Sequence, residues 1–352
     1  MNRLESLDWL RGLLALSIML YHLTGWTLYE PGAETILGRL GIYGVSMFFV
    51  LSGLSMAAGY HRSVVDLPSS MRFFVRRLFR IWPLLWLAIA AATISGVVIK
   101  GRAVDWTNVF LNVTTLFGFV SPGAYINTGA WSIGNEMVYY TLTPPILMAF
   151  ARRRWLGNLI VCLAALPALY IAFSALDPAQ ALADQWLVYI HPANNLILYL
   201  LGVGLFYNFW EMKLSPKAAL GTILLGVVVF LGVAVCGDLI MVVIGWPRVA
   251  FCCASTLVVL GFYKLQIALP ALLSRPLAAL GVATYGVYLL HPLVYGAYGV
   301  AARVLKLPES APVAISVTVT ATILASLFLY SRREAPLIRL GKRVTSTPPQ
   351  AG

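Results

Sequence analysis

The sequence predicts an all-α, polytopic integral membrane protein with about ten transmembrane helices and both termini in the cytoplasm. Three observations carry this. First, 60% of the 352 residues are hydrophobic, only 11% are charged, and the mean hydropathy is +0.83. A soluble domain carries about 25% charged residues. Second, apolar runs long enough to cross a hydrocarbon core of roughly 30 Å use up nearly the whole chain. Third, the basic residues fall in alternate loops.

The spans are expected at roughly 7–28, 38–60, 79–99, 130–150, 156–175, 193–210, 217–236, 246–263, 278–302 and 311–331. One set of loops holds Arg3, then Arg62, Arg72, Arg76, Arg77 and Arg80, then Arg152 to Arg154, Lys213, Lys217, Lys264 and Arg275, and finally the basic tail. The opposite set holds only Arg39, Lys100, Arg102, Arg248, Arg303 and Lys306. The richer set belongs inside, together with both termini. The first apolar run is longer than a signal-peptide core and is expected to be retained as span 1. Trp106 to Phe119 is apolar but too short to span, so a re-entrant or interfacial segment is expected. Ala179 to Pro192 reads as a solvated outer loop. One membrane domain covers residues 1–338, and the basic, Ser/Thr/Pro-rich tail at 339–352 is expected to be disordered.

The net charge of +12 would raise nucleic acid as a partner in a soluble chain. Here loop asymmetry accounts for it, and no nucleic acid is expected. Cys162, Cys236, Cys252 and Cys253 have neither CxxC nor Cys/His ligand spacing, which argues against a zinc site or a disulfide framework. No metal and no bound cofactor are expected.

Span 1 reads LDWLRGLLALSIMLYHLTGWTL and is interrupted by Arg11 and His22. Eleven positions apart, they share one helix face and are separated by roughly 16 Å along the axis. An ionisable group inside a span is costly and marks a functional site by default. His22 therefore reads as a reactive group, against the plainer role of a hydrogen bond between helices. Arg11 is either part of that site, with Asp8 as its partner one turn earlier, or a snorkelling interfacial residue.

Span 4 runs the other way and begins WSIGNEMVYY. Trp131 suits the outer interface. Glu136 comes roughly 8 Å into the span, close to the depth of His22. Ser132, Glu136 and Tyr140 share a face at i, i+4 and i+8. A carboxylate there can orient an imidazole or hold a substrate hydroxyl; an ion pair with a neighbouring span, for example through Arg248, is the alternative. In span 9, TYGVYLLHPLVYG places Tyr285 and His291 at mid-membrane, as a cavity lining or as packing contacts. Before span 3, RFFVRRLFRIWP repeats arginine at helical spacings. Guanidinium forks suit phosphate groups, and equally suit anionic lipid.

These segments together resemble the acyltransferase-3 family of bacterial membrane O-acyltransferases. The matching stretches are LDWLRG…MLYH, GVSMFFVLSG, RRLFRIWP, WSIGNEMVYY and YLLHPLV, in the family's order. The resemblance implies transfer of an acyl group, usually acetyl from acetyl-CoA as co-substrate, to a hydroxyl of a glycan or other exported molecule, in a bacterial inner membrane. It implies that Arg11 and His22 are the family's arginine–histidine pair. It places Arg76, Arg77 and Arg80 in the basic motif that meets the CoA nucleotide, and Trp131, Ser132 and Glu136 in its WSxxxE motif. Catalytic roles are thus expected for His22, Glu136 and Arg11. Substrate contacts are expected for Ser132, Trp131, Tyr140, His291 and Tyr285. Whether His22 acts as general base or carries the acyl group itself stays open. The competing class is a transporter or flippase using the same polar residues as a path.

Overall fold

The computed structural model describes residues 5–308 and 310–346. Arg3 and residues 347–352 lie outside the described residues. Among the described residues the chain is helical throughout, with no strand. The protein is polytopic and membrane-embedded: among the described residues seven helical stretches are long and apolar enough to cross a bilayer.

The first helix, α1 (Glu5–Thr27), opens with Glu5 and Asp8, carboxylates that favour the positive N-terminal end of a helix. Helix α2 (Ile36–Tyr60) starts at an N-cap, Thr35, whose hydroxyl accepts from the Gly38 amide at 2.9 Å. Helix α3 (Leu67–Lys100) starts at Asp66, which forms a capping box with Ser69. The Ser69 hydroxyl, then its backbone amide, holds the Asp66 carboxyl below its ordinary range. With 34 residues α3 is about 51 Å long, well beyond a hydrocarbon core of about 30 Å. The arginine-rich stretch predicted as a loop is therefore the first four turns of this helix, so Arg72, Arg76, Arg77 and Arg80 are held at fixed angles about its axis.

Two short helices follow, α4 (Trp106–Val113) and α5 (Phe117–Val120), neither long enough to span, as expected. Next come α6 (Trp131–Arg152), α7 (Arg154–Tyr170) with a π-helical turn, the short α8 (Trp186–Tyr189), and α9 (Pro192–Phe209). Then follow α10 (Pro216–Gly232), the short α11 (Ile240–Val243), α12 (Gly245–Lys264) and α13 (Ala271–Val304). The chain closes with α14 (Ala311–Leu329), a π-helical turn and α15 (Ala335–Val344). Each expected span overlaps a helix, and α10, at 17 residues, is shorter than the seven long enough to cross. Helices α1 and α6 fall outside the strongly apolar set, and they carry Asp8, Arg11, His22 and Glu136. Polar side chains lower the hydropathy of the helices where a site is built.

Helices α2 and α9 approach backbone to backbone. A Cβ on Gly53 would run into the Tyr199 carbonyl, and one on Gly202 into the Val50 carbonyl. Small residues permit this approach, which gains dispersion contacts where lipid supplies no hydrophobic drive between helices.

Three expectations are corrected. The segment before α9 is only partly solvated: Gln180, Ala183 and Asp184 are exposed, while Leu182, Tyr189 and Ile190 are buried. Its carbonyls are satisfied by buried asparagines, with Asn135 donating to Ile190 at 2.9 Å and Asn194 donating to Tyr189 at 2.7 Å. The tail does not lose structure at Arg339, because α15 continues to Val344 and packs on α3, with Gly341 against Phe79 and the Arg76 Nε donating to the Thr345 hydroxyl at 2.6 Å. Its alternation of apolar and basic residues gives it one face for the bundle and one for water.

Arg39, counted among the loop charges, is buried within α2. It donates to the carbonyls of Ala33, Phe230, Leu231 and Val233 at 2.7–3.0 Å, so it caps the C-terminal end of α10. Arg39→Ala is expected to destabilise the fold by about 3 kcal/mol or more, since each orphaned buried carbonyl costs at least about 1 kcal/mol. A lowered Tm in detergent would confirm this; an unchanged Tm would show that water replaces the guanidinium.

Candidate active site: two cavities sharing a wall

Two cavities of similar size penetrate the bundle. The first, about 510 Å³, is reached from the end where α3 begins and α15 lies. Exposed Arg80 and half-buried Ile338 line it near that end, and Arg77, Arg11, Glu136 and Ser132 also line it. The second, about 520 Å³, is lined by Glu30 and Asp238 from the loops at the opposite end, and by His22, Trp26, Trp131 and Trp186. Val45 of α2 and Tyr288 of α13 line both.

The wall between the cavities is a small hydrogen-bonded unit. The Ser132 and Tyr288 hydroxyls lie 3.0 Å apart, and both face the Gly129 carbonyl, at 3.0 and 2.9 Å. Gly129 has φ +83°, and a Cβ there would sit 3.0 Å from the Tyr288 hydroxyl. Only glycine meets both demands without strain. The preceding loop is pinned to α13, with Asn127 donating to the Leu289 carbonyl at 2.8 Å. Pro292, just beyond, supplies no amide to the Tyr288 carbonyl one turn earlier.

The two histidines are brought together. His22 Nδ1 lies 2.9 Å from His291 Nε2, and His291 Nδ1 lies 3.0 Å from the Val287 carbonyl. The rings meet edge to edge and nearly coplanar, with centroids 5.1 Å apart and planes 14° from parallel. Trp26 stacks on His22 from the next turn of α1, at 5.3 Å and 8°. His22 is half-buried and faces the second cavity, whereas His291 is fully buried.

Glu136 faces the first cavity, on the other side of the wall. It accepts from the Ser52 hydroxyl at 2.6 Å and from the Tyr140 hydroxyl one turn along α6. Equal depth in the membrane thus did not bring it to His22. The alternative partner, Arg248, donates instead to the backbone and side-chain oxygens of Asn194, at 3.0 and 2.9 Å. Arg11 pairs with Asp8 at 3.0 Å and donates to the Ser55 hydroxyl at 2.5 Å, so both ends of its fork are directed within the first cavity.

The arginine motif divides. Arg77 donates to the Tyr60 hydroxyl at 2.8 Å and lies over three aromatic rings, including Tyr140 at 5.9 Å. Arg80 lines the same cavity, while Arg76 turns away to hold α15. Tyr285 lines the first cavity and donates to the Ile81 carbonyl at 2.8 Å. Trp131 lines the second. Trp26, Ser52 and Tyr288 complete the site: Ser52 reads from sequence as a small residue for helix packing and Tyr288 as a hydroxyl near His291, while Trp26 has no expected role. Trp26 lies four residues after His22 and Tyr288 three before His291, spacings that put each on its histidine's face.

Residues 4–331 match the acyltransferase-3 family, described as an acyltransferase domain. The chain belongs to that family, and its helical, membrane-spanning build makes it a membrane acyltransferase. It is 26% identical over 306 residues to a protein of Komagataeibacter xylinus named as a membrane-bound transacylase, BcsY, a match covering 82% of this chain and 72% of that protein. It is also 28% identical over 184 residues to nodulation protein 10 of Rhizobium leguminosarum bv. viciae, covering 46% of this chain and 49% of that one. No solved structure matches the chain.

Proposed function

We propose that this protein is an O-acetyltransferase of a bacterial inner membrane, moving an acetyl group from cytoplasmic acetyl-CoA to a hydroxyl of a glycan or other exported molecule. One observation carries the reading: two cavities enter from opposite ends and share Val45 and Tyr288, one lined by Arg77 and Arg80 and the other by His22. By the positive-inside bias the arginine-rich end faces the cytoplasm. The CoA phosphates meet Arg77 and Arg80, whose forks suit them. The pantetheine arm then runs inward past Glu136, whose carboxylate can accept from its amide N–H groups. The thioester reaches the wall, and the acceptor hydroxyl enters the second cavity.

His22 takes the proton of that hydroxyl as the oxygen attacks the thioester carbonyl. The carbon–sulfur bond then breaks, the CoA thiolate leaves, and the proton on His22 is passed to it or to water. Transfer to the ring first, giving an acyl-histidine, is the other route; rapid quenching of a donor-only mixture followed by mass measurement of the His22 peptide separates the two.

The reading is tested by supplying labelled acetyl-CoA to inside-out membrane vesicles with and without the protein. Label in an envelope glycan or exported metabolite, as one acetyl-sized mass increment, is expected. Substrate flux in proteoliposomes lacking any acyl donor would favour a transporter instead. Arg80→Gln is expected to raise the KM for acetyl-CoA about tenfold or more with kcat little changed, because an ionic hydrogen bond of about 1.5–3 kcal/mol is lost equally in ground and transition states. A fall in kcat at constant KM would place Arg80 outside donor binding.

A further inference from the structure

We infer that His291 is a positioning residue, not a substrate contact: it fixes which nitrogen of His22 carries a proton, leaving Nε2 of His22 as the base. The inference deepens the acyltransferase reading and rests on it for its consequence in catalysis.

The argument follows the hydrogen bonds outward from the backbone. A carbonyl oxygen only accepts, so the 3.0 Å contact from His291 Nδ1 to the Val287 carbonyl puts a proton on Nδ1. In a neutral imidazole the other nitrogen then carries the lone pair. His291 is fully buried among membrane-crossing helices, where a second proton and its charge are costly. Its Nε2 must therefore accept across the 2.9 Å contact, and the donor is His22 Nδ1. With the His22 proton committed to Nδ1, its Nε2 keeps its lone pair. Val287 and His291 lie one turn apart on α13, so the helix itself sets the tautomer of a ring on α1. Trp26 stacks on both rings, at 5.3 and 5.9 Å, and restrains their rotation.

The same device orients histidines elsewhere: a second group on one ring nitrogen decides what the other can do. Here the orienting group is itself an imidazole, fixed in turn by a main-chain carbonyl. The expected carboxylate, Glu136, is engaged with Ser52 and Tyr140 across the wall.

The chain has only four histidines, so 15N-histidine labelling of the whole protein in detergent micelles gives a spectrum that single-residue variants can assign. The two tautomers of a neutral ring have distinct nitrogen shifts. The expected wild-type spectrum has both His22 and His291 protonated on Nδ1. In His291→Gln the side-chain oxygen can replace Nε2 as acceptor, so His22 keeps its Nδ1 proton, and acetyl transfer from labelled acetyl-CoA into native membranes stays within about tenfold of wild type. In His291→Ala the acceptor is gone and His22 shifts to Nε2 protonation. Its kcat is then expected to fall about 100-fold or more at unchanged KM for acetyl-CoA, the cost of presenting the wrong tautomer.

A wild-type His22 protonated on Nε2 would overturn the inference, as would equal loss of kcat in the Gln and Ala variants. Should neither variant fold, the wild-type spectrum alone decides. The expected spectrum in a protein that transfers no acetyl group would uphold the histidine relay and overturn the acyltransferase reading.

Discussion

His22→Ala is expected to slow acetyl transfer about 100-fold to 10,000-fold, the range a positioned general base supplies. The substitution is local. His22 is half-buried at the edge of the second cavity, and its ring is hydrogen-bonded to His291. Removing the ring leaves His291 Nε2 without its donor, a cost of about 1–3 kcal/mol that a multi-helix bundle can absorb. The first cavity, proposed to take the donor, lies beyond Val45 and Tyr288 from His22, so equilibrium binding of CoA to purified His22→Ala is expected to match wild type within about twofold. Transfer and binding measured on the same preparation separate chemistry from folding. Retained transfer would remove His22 from catalysis; lost CoA binding would mean the two cavities are not independent.

The residues differ in how far their placement could be read from sequence. Contacts within one helix were legible because spacing fixes them. Asp8 reaches Arg11 three residues on, and Tyr140 reaches Glu136 four residues back. The face shared by Ser132 and Glu136 also held, since both line the first cavity. Contacts between distant helices were not legible. His22 and His291 are 269 residues apart, and their meeting depends on how α1 and α13 pack. Glu136 illustrates the limit: rise per residue predicts depth, while the direction a side chain faces depends on the rotation of its helix within the bundle.

The segment around Tyr189 departs from the solvated-loop reading in part, for a related reason. Its polarity comes from Asp177, Gln180 and Gln185, which bond to one another at the surface, while Leu182, Tyr189 and Ile190 turn inward. What permits that burial is a set of asparagines on α6 and α9 that no local pattern connects to the loop. In α15 the basic composition concealed an amphipathic helix too short to register as a span.

The wall between the cavities yields the second large effect. If the acyl group crosses beside Val45 and Tyr288, the size of residue 45 controls what crosses. Val45 is buried, with 6% of its surface exposed, so Val45→Phe fills space that the crossing group needs. The added bulk costs about 1–3 kcal/mol of stability through overpacking, which leaves the fold intact. Acetyl transfer is expected to fall about 100-fold or more, while CoA binding from the arginine-rich side persists, because near-attack geometry fails once the reacting atoms are held even about 1 Å apart from their productive positions.

Val45→Ala makes the opposite prediction. Removing two methyl groups should cost about 1.5–3 kcal/mol in stability, keep acetyl transfer near wild type, and raise the rate with propionyl- or butyryl-CoA relative to acetyl-CoA by about tenfold, the value of one methylene in a shaped pocket. Competition between labelled acetyl- and butyryl-CoA in one vesicle preparation measures that ratio directly. Equal ratios in wild type, Val45→Ala and Val45→Phe would show that the acyl group takes a path away from this wall, and the donor and acceptor routes would then have to meet at some other point along α2.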